Sequence, residues 1–215
     1  MILAIDSALA TAVAVVTDDG TVLAECNNTD TRGHAEAVGR LIVEALSVAG
    51  ITAADVTAVA AGMGPGPFTG LRVGIAAARA FAVGRGIPII GVASHEAIAL
   101  ELAPDPGATL VVTTDARRRE LAWSVFSGVD ALGIPALIAG PALAGVDAAG
   151  ADAIDAALGE HSTARRVLAD AVPAGALGRI AALRRAAGLS AGSLEPLYLR
   201  PPDAIPSAGP KRVTA

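Results

Sequence analysis

The sequence predicts an α/β fold made of two ribonuclease H-like halves, the second of them reduced, and three observations carry that prediction. Runs rich in β-branched residues open the chain and are split by an Asp-Gly turn, which reads as an antiparallel meander. Amphipathic helices then alternate with short apolar strands, the pattern of parallel strands joined by crossover helices. After APDPG at 103–107 the strand pattern restarts. The expected division is therefore 1–102 for the first half, 108–200 for the second, and a proline-rich, disordered tail over 201–215.

In chain order, Met1 to Ile5 is an apolar run ending at Asp6, and Thr11–Thr17 and Thr21–Cys26 flank Asp18-Asp19-Gly20 as a hairpin. Val38, Leu41, Ile42, Ala45, Leu46 and Ala49 recur at three and four residues, which predicts a helix from His34 to Ala49 ended by Gly50. Strands follow at Val56–Ala61 and Pro88–Val92, with helices at Thr69–Val83 and from Ser94, its expected cap, to Leu102. In the second half Thr109–Thr114 and Glu120–Phe126 surround the turn DARRR, and Ile134–Ala139 is a candidate third strand. A helix at Ala148–Leu158, a strand near Val167 and a helix at Ala174–Ala187 complete it, before an ordered terminal segment in LEPLYLRPP.

The stretch Ala61 to Gly91, AGMGPGPFTGLRVGIAAARAFAVGRGIPIIG, opens a glycine–proline loop directly into a helix. Thr69 is expected to cap that helix, Phe68 and Val73 to staple it, and Gly84 to stop it. Leu71, Val73, Ile75, Phe81 and Val83, with alanines between, leave only a narrow charged stripe at Arg72 and Arg79. One flank has a sheet to cover; the other, lined by Gly70, Gly74 and Ala78 at four-residue spacing, admits a facing helix at close range. A helix of another chain and a helix buried inside one domain both produce this pattern. With the apolar stripe Val38, Leu41, Ile42 and Ala45 of the preceding helix, the residues Gly70, Leu71, Gly74, Ala78 and Phe81 are the candidate partner interface.

The 215 residues are 53% hydrophobic, enough for a sizeable core. Mean hydropathy is +0.57, but much of that is alanine, and no run approaches the roughly 18 to 20 apolar residues of a spanning helix. The opening MILAIDSA has no basic segment and carries Asp6 where a signal peptide is apolar, so a cytoplasmic location is expected. One cysteine, Cys26, excludes an internal disulfide. The sole lysine, Lys211, lies in the tail, which excludes a P-loop and a pyridoxal Schiff base. A formal net charge of −5 argues against a free-standing nucleic-acid binder. From Val56 to His95, however, Arg72, Arg79 and Arg85 stand with no Asp or Glu, either as solvated surface or as a face for an acidic partner or phosphate.

MILAIDSA, the long GMGPGPFTGLRVGIAAARAFAVGRGIPIIGV, DARRRELAW and LEPLYLR together resemble the bacterial TsaB (YeaZ) proteins. The resemblance is dense over 1–126 and returns at 194–200. It implies two actin-like (ASKHA) halves and a non-catalytic subunit of the machinery that makes N6-threonylcarbamoyladenosine at tRNA position 37. The implied partners are the catalytic paralogue TsaD, the ATPase TsaE and a second copy of the chain when alone, with tRNA met only through the complex and no membrane.

The residues agree with an absence of chemistry of their own. The catalytic paralogue holds metal with two histidines four apart on a helix; here His34 begins the corresponding helix, Val38 stands four residues on, and Glu36 points about 200° away. Phosphate turns of actin-like kinases need glycine, whereas Asp6-Ser7-Ala8 and Asp115-Ala116-Arg117 have none. Gly62-x-Gly64-x-x-Pro67 fails the dinucleotide pattern, and Pro65 and Pro67 remove two donors, so the loop reads as a shaped turn. His95 and His161 lie beside Glu96 and Glu160, yet no GxSxG exists for a hydrolase. No catalytic, cofactor-binding or metal residue is therefore expected, and no cofactor. The competing function is an actin-like ATP-dependent small-molecule phosphotransferase, which would need the two glycine-bearing phosphate turns.

Overall fold

The computed structural model describes residues 1–28, 33–102, 108–159, 161, 163–189 and 192–200. The predicted boundary at 103–107 and the tail 201–215 lie outside these residues. β1 (Ile2–Asp6), β2 (Thr11–Val16), β3 (Val22–Asn28), β4 (Ala58–Gly62) and β5 (Ile89–Val92) form one sheet in the order β3-β2-β1-β4-β5. β1 to β3 pair antiparallel, β2 and β3 through the hairpin at Gly20, and β1, β4 and β5 run parallel, as the sequence predicts. Every residue of β1, β2 and β4 is buried. Their continuous apolar runs follow from burial on both faces of the sheet. Helices α1 (His34–Val48) and α2 (Phe68–Arg85) lie side by side on one face. On the other, α5 (Ala174–Ala186) crosses all five strands with α3 (Ser94–Leu102) beside it.

The second sheet has the order β8-β7-β6-β9, from β6 (Thr109–Asp115), β7 (Glu120–Val129), β8 (Pro135–Gly145) and β9 (Arg165–Ala169). β6, β7 and β8 are antiparallel neighbours and β9 joins β6 in parallel, a reduced copy of the first half. α4 (Ala148–Leu158) covers one face over a small cluster built on Trp123, Val125, Ile154 and Leu158. From the other face Leu110, Val112 and Phe126 enter the main core of the first half.

Several local expectations are corrected. α5 follows the second sheet in the chain but packs on the first: a side chain at Gly178 would collide with Val16 and Ala4. α2 begins at Phe68 with Pro67 at its cap, so Thr69 lies inside the first turn and caps nothing; the proline fixes the chain entry at φ −57. α2 also runs through Gly84 and ends at Gly86, whose φ of 65 and the Ile87 N–H bond to Ala82 O (3.0 Å) make a Schellman stop. At the start of α3, Ala93 takes the cap position and its N–H donates to Glu96 Oε2 at 3.1 Å, freeing Ser94 to face inward. No described helix is long and apolar enough to cross a membrane.

Candidate functional site

The turn after β1 is where an actin-like half would hold phosphate, and here it is filled by the chain itself. Asp6 is fully buried; its carboxylate accepts from Ala8 N–H at 2.7 Å and from Ser94 Oγ at 2.5 Å, while Gly64 N–H donates to the Ser94 hydroxyl at 3.2 Å. Burial outweighs these bonds and pushes the carboxyl up to about 6. Ser7 Oγ donates to Gly70 O at 2.7 Å and accepts from Gly74 N–H at 2.8 Å. Those are the two groups that one turn of α-helix would join, so the serine bridges the ladder of α2. Gly66 closes from above: a Cβ there would lie 2.7 Å from Ala8 O. Gly62 must likewise be glycine, because a Cβ would land on the Asp6 carboxylate.

Most of the predicted interface residues fall on the inward side of α1 and α2. The Gly70, Gly74, Ala78 line faces the chain's own β1 turn and α1, where a Cβ on Gly70 would sit 2.9 Å from His34 Nε2 and one on Gly74 would overlap Ser7 Oγ. Val38, Leu41, Ala45, Leu71 and Ala78 are buried in the same core, and Ile42 and Phe81 pack against it half-buried. A four-residue stripe of small side chains serves close approach within one chain as well as between two, which is why periodicity left both open. What α1 and α2 present outward is different: Val43 is 69% and Val83 82% exposed, with Val48 also exposed. At the start of α1, His34 Nδ1 shares a hydrogen bond with Thr11 Oγ1 at 2.8 Å.

The predicted arginine stripe is occupied by the terminal segment. Arg79 donates to Leu194 O at 2.6 Å, Arg72 Nε to Tyr198 OH at 2.9 Å, and Leu197 N–H to Met63 O at 2.7 Å. Arg200 then reaches the second half, where it pairs with Glu120 and donates to Ala116 O at 3.2 Å. A second tie is His95, buried between Thr114 Oγ1 (3.0 Å from Nε2) and Ser124 Oγ (2.8 Å from Nδ1); burial lowers its pKa to about 3 and keeps it neutral. The sequence singled out LEPLYLR but held no signal for what it strapped together.

Between the halves lies a cleft of about 670 Å³, walled by the Pro65–Thr69 loop, Arg72, the β6–β7 turn and the segment at Tyr198. The Phe68 and Tyr198 rings pack at a tilt of 39° with centroids 4.8 Å apart, and the Arg72 guanidinium lies 3.5 Å over the Phe68 ring. In the β6–β7 turn Arg117, Arg118 and Arg119 all have positive φ, at 63, 56 and 61. Residues other than glycine rarely hold that conformation.

Two lobes of ribonuclease H-like topology, joined across a cleft, define an actin-like protein. The family model described as TsaD, tRNA N6-adenosine threonylcarbamoyltransferase, matches residues 21–165. An uncharacterized protein of Mycobacterium tuberculosis is 43% identical over 218 residues, covering 96% of this chain and 95% of that protein. The Escherichia coli tRNA threonylcarbamoyladenosine biosynthesis protein TsaB is 36% identical over 126 residues, 58% of this chain and 54% of that one. The structure of YeaZ from Pseudomonas aeruginosa superposes with a TM-score of 0.70 at 26% identity, covering 92% of this chain and 99% of that one. The chain belongs to the TsaB (YeaZ) family.

Proposed function

We propose that this chain is the non-catalytic scaffold subunit of the machinery that forms N6-threonylcarbamoyladenosine at tRNA position 37, and that it binds and orders a TsaD-like catalytic paralogue. The observation that carries this reading is the closed turn after β1: Ser7 is spent on the ladder of α2, and Asp6 on Ala8 and Ser94. A carboxylate so enclosed has no path to a nucleotide or metal, which disfavours the actin-like phosphotransferase. The docking face is the outer surface of α1 and α2, with Val43 and Val83 exposed on a chain otherwise well packed. A second copy uses the same face when the paralogue is absent, and a TsaE-like ATPase joins the assembled pair in the cytoplasm.

The test is reconstitution: the catalytic paralogue, the ATPase and unmodified tRNA, assayed for threonylcarbamoyladenosine with and without this chain. Product is expected only when the chain is present, and Asp6→Asn, which removes the buried carboxylate, is expected to support full activity. Full modification in the absence of the chain, or loss of activity in a folded Asp6→Asn protein, would overturn the reading.

A further inference from the structure

The cleft between the lobes has no task in a purely docking role, yet its walls bring cations and aromatic rings together. Four guanidinium groups line it, Arg72, Arg117, Arg118 and Arg200, against two carboxylates, Asp115 paired with Arg117 and Glu120 paired with Arg200, which leaves an excess of positive charge in a chain whose formal net charge is −5. α2 opens into it at Phe68 and Thr69 with no side chain capping its first turn, so the positive end of that helix adds to the same sign. Tyr198, 36% exposed, packs on Phe68 at an interplanar angle of 39°, and with Arg72 over the Phe68 ring it is the tyrosine that offers an open aromatic edge to the cleft. The three arginines of the β6–β7 turn hold a backbone conformation that glycine would adopt without cost, at φ 63, 56 and 61. Two of the three, Arg117 and Arg118, line the cleft, and residues held at sparsely populated φ cluster at ligand sites.

We infer that this cleft binds a single-stranded RNA segment, which within the proposed complex is a loop or end of the substrate tRNA; the inference rests on the tRNA-modification reading. Planar guanidinium forks match phosphodiester oxygens, and an exposed ring stacks an unpaired base whatever its identity. A free nucleotide gripped in the actin-like manner has only one wall here, because Ser7, Ala8 and Gly66 close the turn after β1. An acidic peptide would meet the charge but leave the exposed Tyr198 ring unused.

The experiment titrates a fluorescein-labelled single-stranded oligoribonucleotide, and separately an unmodified tRNA transcript, with the full-length chain and with its complex with the catalytic paralogue. Arg117→Gly/Arg118→Gly is the informative variant, since glycine adopts the turn's positive φ freely and a folding defect is not expected. Its RNA affinity should fall at least about tenfold, with a shallower dependence on salt. Tyr198→Ala should lose about five- to a hundredfold, whereas Tyr198→Phe, which keeps the ring, should stay near the native value. Affinity for the catalytic paralogue should be unchanged in all three. Equal RNA binding by the glycine variant, displacement of the RNA by ATP, or equally tight binding of polyglutamate would each overturn the inference. Failure to bind the paralogue would instead strike the scaffold reading, while titration of RNA into the chain alone still decides this one.

Discussion

The two lobes share a topology but have been reworked in opposite directions. In the first, helices cover both faces of the sheet, every residue of its three central strands is buried, and the turn after β1 is sealed by Ser7 and Gly66. In the second, β9 is largely exposed, one helix covers the outer face, and the equivalent turn is an open run of arginines with positive φ. The lesson is that one topology can close the turn after its first strand with packing in one lobe and leave the equivalent turn as surface in the other. A lobe sealed this way has no opening at its first turn. The open lobe keeps a cleft.

The largest effect that separates the lobes should come from Gly74→Leu. The new side chain overlaps the buried Ser7 hydroxyl, and overpacking of this kind costs about 3 kcal/mol or more. On a chain of this size that lowers Tm by roughly 10 °C. Gly39→Ala, on the open side of α1 with nothing within 4 Å of the new Cβ, should instead stabilise by up to about 1 kcal/mol. Thermal unfolding followed by circular dichroism, and by the fluorescence of Trp123 in the second lobe, measures both. Because Phe126 and Leu110 belong to the main core, the two probes should report one transition.

Next comes pH. Asp6 titrates at about 6 in the folded chain against 3.8 when exposed, so the fold binds that proton more tightly than the unfolded chain does. Its stabilising contribution is complete below about pH 4 and is lost as pH rises through 6. His95 behaves oppositely: lowered to about 3 from 6.5, it stabilises fully above pH 6.5 and loses that contribution as pH falls toward 3. Asp6→Asn should therefore stabilise the protein at pH 7 by about 1 to 3 kcal/mol. It should also remove the falling contribution of Asp6, so that stability rises more steeply with pH between 4 and 6. Urea unfolding across that range checks both. The smallest effect is expected in the second lobe, where Arg118→Gly relieves a positive φ of 56 and should stabilise by roughly 1 kcal/mol.

Strand order and most element boundaries were legible in the sequence because β-branched runs, the Asp-Gly turn and three-four periodicity are local signals. The inward face of α2 was not. Gly70, Gly74 and Ala78 reveal that something approaches closely, but only the fold shows that the approaching groups are Ser7 and His34 of the same chain. Nor did the sequence indicate that α5 returns to the first sheet, since its Ala- and Gly-rich turns suit either lobe equally. Thr69 failed as a cap because Pro67 had already set the helix entry. The strap from Leu194 to Arg200 was legible as an ordered segment, while its partners, Arg72, Arg79 and the β6–β7 turn, lie about eighty or more residues away and leave no local trace.

The central claim is that the outward surface of α1 and α2, and not their buried stripe, docks the catalytic paralogue. Calorimetric titration of the paralogue into the native chain and into Val43→Glu/Val83→Glu tests it most directly, with Tm measured alongside. Both valines are more than two-thirds exposed, so the fold should be unaffected, and introducing two charges into an apolar docking face should weaken association at least about tenfold. An unchanged Tm with that loss is the predicted result; an unchanged affinity in the folded double variant would contradict it.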